Sequence, residues 1–140
     1  MNLTTGVGAF GEAEGDTYAS VEIVNGTFFA DRLVGNAASN GLSGGGGNDV
    51  IDGRGGNDTL FGSTGVDTFL FQAGHGNDRV LDFTDGADRL DYSGHAGVSA
   101  FADLTVFQSG TSTIVQDGAG GQVVLQNVDV VDVTAADFDF

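Results

Sequence analysis

The sequence predicts an all-β solenoid of short parallel strands, and three observations predict it. Glycine opens five consecutive nine-residue blocks, 26–34, 35–43, 44–52, 53–61 and 62–70. The sixth position of those blocks reads Asp31, Asn40, Asp49, Asp58, Asp67. The eighth reads Leu33, Leu42, Ile51, Leu60, Phe69. A flexible Gly-rich linker would show neither column, whereas a fixed period is the mark of a repeat architecture.

Each block divides into six turn residues and a three-residue strand. Successive strand side chains point to opposite faces, so the apolar eighth position faces inward and positions seven and nine face out. One such strand cannot bury its face alone; stacked parallel copies can, around a thin aliphatic core. The pattern weakens downstream. After a two-residue slip (Phe71, Gln72), block 73–81 repeats it with Ala73 for the first glycine, and Asp88-Arg89-Leu90 keeps the Asp-x-apolar core. Upstream, Glu22-Ile23-Val24 lies nine residues before Asp31-Arg32-Leu33 and reads as a degenerate first turn.

Composition narrows the chemistry. The 140 residues carry 20 Asp+Glu against 4 Lys+Arg, a formal net charge of -16, and all but three of the acids (Glu12, Glu14, Glu22) are aspartate. Such a chain does not bind nucleic acid, which needs clustered cations. Without cysteine it has neither disulfides nor a thiolate metal site. No apolar run approaches the ~20 residues of a membrane-spanning helix. The first residues show no basic region leading into an apolar stretch, so no cleavable secretory signal is expected. The 25 glycines and the self-repulsion argue for disorder, but 40% hydrophobic residues and eleven phenylalanines supply a core. Such a chain needs something to neutralise it.

The turns suggest what that is. One carboxylate per turn beside a ring of outward backbone carbonyls is a hard-cation site. Calcium takes six to eight such oxygens at ~2.3–2.6 Å, whereas magnesium keeps its waters, and zinc and copper want imidazole or thiolate.

Blocks 44–52, 53–61 and 62–70 follow G-G-x-G-x-D-x-U-x, with U large and apolar, and resemble the RTX (repeat-in-toxin, hemolysin-type) calcium-binding nonapeptide repeats. The resemblance implies a parallel β-roll, a right-handed solenoid whose turns alternate between two sides, with calcium between a turn and the next but one. It implies sites pairing Asp31 with Asp49, Asn40 with Asp58, Asp49 with Asp67, and Asp58 with Asp78. Carbonyls at the first and third turn positions (Gly44 and Gly46, Gly53 and Gly55, Gly62 and Thr64, Ala73 and His75) would complete the shells. Departures set an order among these sites. Asn40 and Ala38 replace Asp and Gly, Phe29 stands where Gly belongs, Arg54 replaces a Gly, and block 62–70 has Ser63-Thr64. The turns at 44–49, 53–58 and 62–67 are therefore expected to bind best. The expectation is about four to six ions, and additional ligation by Asp82, Asp85 or Asp91 competes with a plain reading as solvated surface acids.

Three regions are expected: an N-terminal flank at 1–25, the calcium-binding roll at 26–91 and a C-terminal β cap at 92–140. In the cap, 104–108 and 111–116 read as a hairpin around Ser109-Gly110, with a third strand at 122–128. Thr134-Ala135-Ala136-Asp137 reads as a capping box opening one helical turn, with another at 99–102. Such a segment would cover the open edge of the roll. Residues 67–92 are similar to the region after the repeats in type I-secreted proteases, lipases and alginate epimerases. Asp137-Phe138-Asp139-Phe140 resembles the uncleaved C-terminal secretion signal, although Asp139 interrupts its apolar tail. Gly15-Asp16-Thr17-Tyr18 and Val21-Glu22-Ile23 resemble the flank found before such repeats.

No catalytic constellation is visible. His75 sits at a variable turn position and reads as solvated, and His95 lies in a loop; Arg32, Arg79 and Arg89 each follow an Asp and read as local ion pairs. The chain is therefore expected not to be an enzyme. What the resemblance implies is a secreted, extracellular module that is exported unfolded by type I secretion machinery and folds outside on binding calcium. The alternative is a calcium-stabilised module for an alginate-like polysaccharide, for which neutral glycans would require exposed aromatics such as Tyr18 or Tyr92.

Overall fold

The computed structural model describes Met1 and residues 22–140; the flank motifs at 15–18 and the start of 21–23 lie outside the described residues. A nine-residue period that reverses direction at every turn puts successive strands on alternate sides of the molecule. The strands are β1 (Ile23–Asn25), β2 (Arg32–Val34), β3 (Gly41–Gly46), β4 (Val50–Asp52), β5 (Thr59–Thr64) and β6 (Thr68–Leu70). They continue with β7 (Asn77–Val80), β8 (Arg89–Asp91), β9 (Thr105–Ser109), β10 (Ser112–Gln116), β11 (Gln122–Leu125) and β12 (Phe138–Asp139). One sheet runs β1-β3-β5-β7-β11-β10-β9 and the facing sheet β12-β8-β6-β4-β2. Pairing through the repeats is parallel: Leu42 sits opposite Val24 and Leu60, and Ile51 opposite Leu33 and Phe69. The result is a parallel β-roll of about four turns.

The core is the eighth-position column. Leu33, Leu42, Ile51, Leu60 and Phe69 are buried, as are Val80 and Leu90, which carry the column past the slip. The slip itself appears in the register: the usual step of eighteen becomes twenty at Thr59↔Arg79 and twenty-one at Thr68↔Arg89. Two details differ from expectation. β3 and β5 run six residues, because the turn backbones also pair, Gly45 with Ser63 and Gly46 with Thr64. Asp52, at an outward ninth position, is buried and faces Arg54 Nε at 3.1 Å.

The C-terminal residues finish both sheets. β11 adds to β7 in parallel, and β10 and β9 follow antiparallel. β11 stops at Leu125, three residues before the expected end, and Asn127 takes a left-handed φ of 58° just beyond. The capping box forms as predicted: Thr134 N–H donates to Asp137 Oδ2 (2.8 Å) and Ala136 N–H to Thr134 Oγ1 (3.3 Å). The second short turn is a 3-10 turn at Phe101–Asp103. β12 then pairs with β8. Arg89, fifty residues away, holds it by donating to Asp139 Oδ2 (3.2 Å), to Asp139 Oδ1 and to the carbonyls of Phe138 (2.9 Å) and Ala136. The expected pairing of Arg79 and Arg89 with the preceding aspartates is thus corrected. Neighbours in a strand point to opposite faces, and Arg79 donates instead to Gln126 Oε1 (2.7 Å). Among the described residues no helix is long and apolar enough to cross a membrane.

Candidate metal centre

Stacking turns two blocks apart lines the aspartates up in two ladders, one on each side of the roll. In each rung the backbone N–H of one acid position donates to Oδ1 of the next. On one side Asp31 bonds Asp49, Asp49 bonds Asp67 and Asp67 bonds Asp88, at 2.8, 2.8 and 2.9 Å. On the other side Asn40 bonds Asp58 and Asp58 bonds Asp78, at 2.7 and 2.9 Å. All four pairs expected from the sequence are brought together. A fifth, Asp67 with Asp88, was not expected, because the last step is twenty-one residues and breaks the period of nine.

The second oxygen of each side chain separates the turns into two kinds. Asp49 Oδ2 and Asp58 Oδ2 are buried with no hydrogen-bond partner. Asp67 Oδ2 accepts no hydrogen bond among the described residues and lies over Gly62. These three turns are open. At Asp31 the same oxygen accepts from Thr27 N–H (2.6 Å) and Thr27 Oγ1 (2.8 Å), and at Asp88 from Thr84 N–H (2.8 Å). Asn40 Oδ1 accepts from Asn36 N–H at 2.8 Å, so its amide presents Nδ2, a buried donor without a partner, where its neighbours present an oxygen.

Backbone conformation decides which kind forms. In the open turns the second residue is left-handed: Gly45 (φ 100°), Arg54 (72°) and Ser63 (75°). Thr27 and Asn36 are not, and their N–H groups swing onto the acid position of their own turn. The first glycine is needed for space. A Cβ on Gly44, Gly53 or Gly62 would strike the Oδ2 of Asp49, Asp58 or Asp67. Arg54 and Ser63 bear a left-handed cost of roughly 1–2 kcal/mol. Ser63→Gly is therefore expected to raise stability by about 1 kcal/mol, read as a higher denaturant midpoint at unchanged slope; no gain would show that the Ser63 strain is not real.

Burial strains these acids electrostatically. Desolvation raises Asp58 to about 7, against a backbone hydrogen bond from Asn40 that lowers it, with the charges of Asp78 and Asp52 adding to the rise. Asp49, Asp67 and Asp88 are also raised, with desolvation the largest cause in each. No Lys or Arg is among the causes for these four acids. Among the described residues no three His, Cys, Asp or Glu side chains converge to hold a metal ion. Any shell must therefore draw largely on carbonyls, the donor set that suits calcium. Bare buried carboxylate oxygens with no thiolate beside them fit that ion, and Asp49, Asp58 and Asp67 are the residues that would hold it.

Several expectations are corrected. His75 is not solvated: it is buried, with Nδ1 2.7 Å from Asp78 Oδ2. His95 lies in a loop as expected, and is buried there with Nε2 2.9 Å from Asp117 Oδ2. His75 is held by Asp78 of its own turn and faces Asp117 forty-two residues away, and His95 is drawn inward by the same Asp117; that long-range acid is a signal absent from the local pattern. Burial acts to raise Asp117, but hydrogen bonds from Ala119, His95 and Gly121, with the His75 charge, bring it below the usual carboxylate range. Asp82 does join the turns, through Oδ1 to Gly62 N–H (3.0 Å) and Oδ2 to Ser63 N–H (2.6 Å). Tyr92 is fully buried and unavailable to a glycan, and Tyr18 lies outside the described residues.

Comparison with known proteins agrees with the geometry. The RTX calcium-binding nonapeptide repeat (four copies) matches residues 19–49 and 34–69. The AlgE6R2 subunit of the Azotobacter vinelandii mannuronan C5-epimerase is 30% identical, over 87% of this chain and 94% of that one, with a TM-score of 0.56. The chain belongs to the RTX calcium-binding nonapeptide repeat family. RTX repeats bind calcium and are structural units, not catalytic ones. The extracellular lipase LipA of Serratia marcescens shares the fold (TM-score 0.56, 23% identity, 92% of this chain). The RTX chain spans 22% of that lipase's length. No curated protein matches it at significance.

Proposed function

We propose that this RTX roll binds several calcium ions between turns two blocks apart, and that binding and folding are one event. The buried, unpartnered Oδ2 atoms of Asp49 and Asp58 carry this reading, because a buried charge without a partner is costly until a cation joins it. The readiest positions are Asp49 with Asp67, Asp58 with Asp78 and Asp67 with Asp88. Carbonyls of Gly44, Gly46, Gly53, Gly55, Gly62, Thr64, Ala73 and His75 would complete the shells. Asp31 and Asn40 begin the ladders, where the Thr27 and Asn36 N–H groups already occupy their side-chain oxygens, and would hold no ion of their own. With affinities of about 10⁻⁴–10⁻³ M, as in extracellular modules, the roll would stay unfolded where free calcium is scarce. It would serve as the folding and secretion module of a type I-secreted protein, acting outside the cell.

The calcium reading has a pH signature. A carboxyl raised by folding stabilises the ion-free roll below its unfolded value near 4 and stops doing so as pH rises through its folded value, about 7 for Asp58. Protons and calcium thus compete. Calorimetric affinity for calcium is expected to weaken steadily from pH 7.5 to pH 5.5, while the calcium-free chain becomes easier to fold. Affinity that is flat over this range would remove the buried acids from the site.

A second reading follows from the 30% identity to a mannuronan C5-epimerase subunit: the roll would contact a mannuronan-type polysaccharide. Calorimetry against mannuronan oligomers with calcium present tests it, and absence of heat rejects it.

A further inference from the structure

The ladders do not end on bare acids. At three of the four ladder ends the acid position is satisfied from within its own turn by a backbone N–H: Thr27 on Asp31, Thr84 on Asp88 and Asn36 on Asn40. The fourth end, Asp78, uses a side chain instead. The turn holding Asp78 begins with Ala73, not Gly. A Cβ at that position in the preceding turns meets the turn's own Oδ2, so the spot over Ala73 is closed to Asp78 Oδ2. That oxygen bonds His75 Nδ1 at 2.7 Å. A carboxylate oxygen only accepts, so Nδ1 carries the proton.

The ring reaches on toward the cap. His75 Nε2 is buried without a hydrogen-bond partner and lies 3.5 Å from Asp117 Oδ2. Asp117 is fixed by Ala119 N–H (2.7 Å), Gly121 N–H (2.8 Å) and His95 Nε2 (2.9 Å). His95 in turn accepts Gly97 N–H at Nδ1 (3.1 Å), which leaves its proton on Nε2. Segment 117–121 leads into β11, which pairs with β7 as the next turn of the roll would. Its last residue, Gly121, has the same crowding as the first glycines of the open turns: a Cβ would strike Asp117 Oδ2 and His75 Nε2. Opposite Asp78, where the ladder's next acid belongs, stands Val123.

We propose that His75 terminates the Asn40–Asp58–Asp78 ladder: its imidazole lies between the Asp78 and Asp117 carboxylates in place of a further calcium ion and joins the last turn to the cap without metal. The inference rests on the calcium reading above. Together with the backbone N–H groups that close the other three ends, it limits binding to the open acids Asp49, Asp58 and Asp67, one ion each. It also explains the third turn position, which is Gly46 and Gly55 in two open turns and a ring only at the ladder end.

Native mass spectrometry of the full chain in calcium tests this together with imidazole NMR. Wild type is expected to hold three ions and His75→Gly four, because the variant leaves two carboxylates facing the vacated space. His75→Gly that folds and still holds three ions overturns the proposal, as does a wild type holding four or more. A wild type that binds none overturns the calcium reading itself. If His75→Gly does not fold, calcium-saturated wild type decides. A slowly exchanging proton on His75 Nδ1, distinct from the Nε2 proton of His95, supports the termination, and its absence means that an ion has displaced the ring.

Discussion

Asp58→Asn is expected to reverse its effect with calcium: more stable than wild type in EGTA, less stable in millimolar calcium. The substitution keeps an oxygen to accept Asn40 N–H, the 2.7 Å rung of the ladder. It removes a buried charge whose desolvation is the main reason its carboxyl rises to about 7. Without ions that charge only costs, so the amide relieves the fold. With ions it is a ligand, and its loss should remove one ion and, at calcium a hundredfold above the dissociation constant, about 2.7 kcal/mol of linked stability. Asp58→Ala is harsher. It also strands the Asn40 N–H in a buried place, at a further cost of about 1–3 kcal/mol in both conditions. Thermal melts of both variants in calcium, together with the β-structure each retains by circular dichroism in EGTA, check the sign. An Asp58→Asn protein weaker in both buffers would mean that Asp58 is structural and not a cation ligand.

Gly56→Ala is expected to disrupt the roll even with calcium saturating, by well over 2 kcal/mol. Gly56 has φ 112°, and a Cβ there would come 2.7 Å from the carbonyl oxygen and 2.8 Å from the carbonyl carbon of Ala38 in the stacked turn. Backbone cannot swing aside as a side-chain tip can, so the clash adds to the left-handed cost of roughly 1–2 kcal/mol. Gly118 provides the control. It is also left-handed (φ 73°), but a Cβ there would meet nothing within 4 Å, so Gly118→Ala should show only the conformational cost. Equal losses at the two sites in denaturant melts would deny the close stacking of turns.

The repeat made most of this fold legible. Two columns at one period of nine placed the strands, the core from Leu33 to Phe69 and the acid pairs from Asp31 to Asp78, because within the roll a residue's neighbours are its equivalents eighteen positions away. Where the step changes, the sequence stops reporting. Asp88 bonds Asp67 across twenty-one residues, and nothing local to Thr84-Asp85-Gly86 reveals it. Contacts between roll and cap are set by chain reversal, not by period. His75 meets Asp117 and Arg89 meets Asp139 across forty-two and fifty residues. Asp139, which interrupts an otherwise apolar tail, is accounted for only once Arg89 is seen gripping it. The distinction between open and closed turns was also invisible, because it depends on φ at Thr27, Asn36, Arg54 and Ser63, none of which is glycine.

The central claim is that the acid ladders need calcium to fold. Far-UV circular dichroism at pH 7.5 tests it most directly, on one sample in EGTA and then in millimolar calcium. The account predicts a largely unstructured spectrum in EGTA that converts to β-structure as calcium is added. A spectrum already fully β in EGTA and unmoved by calcium would contradict it.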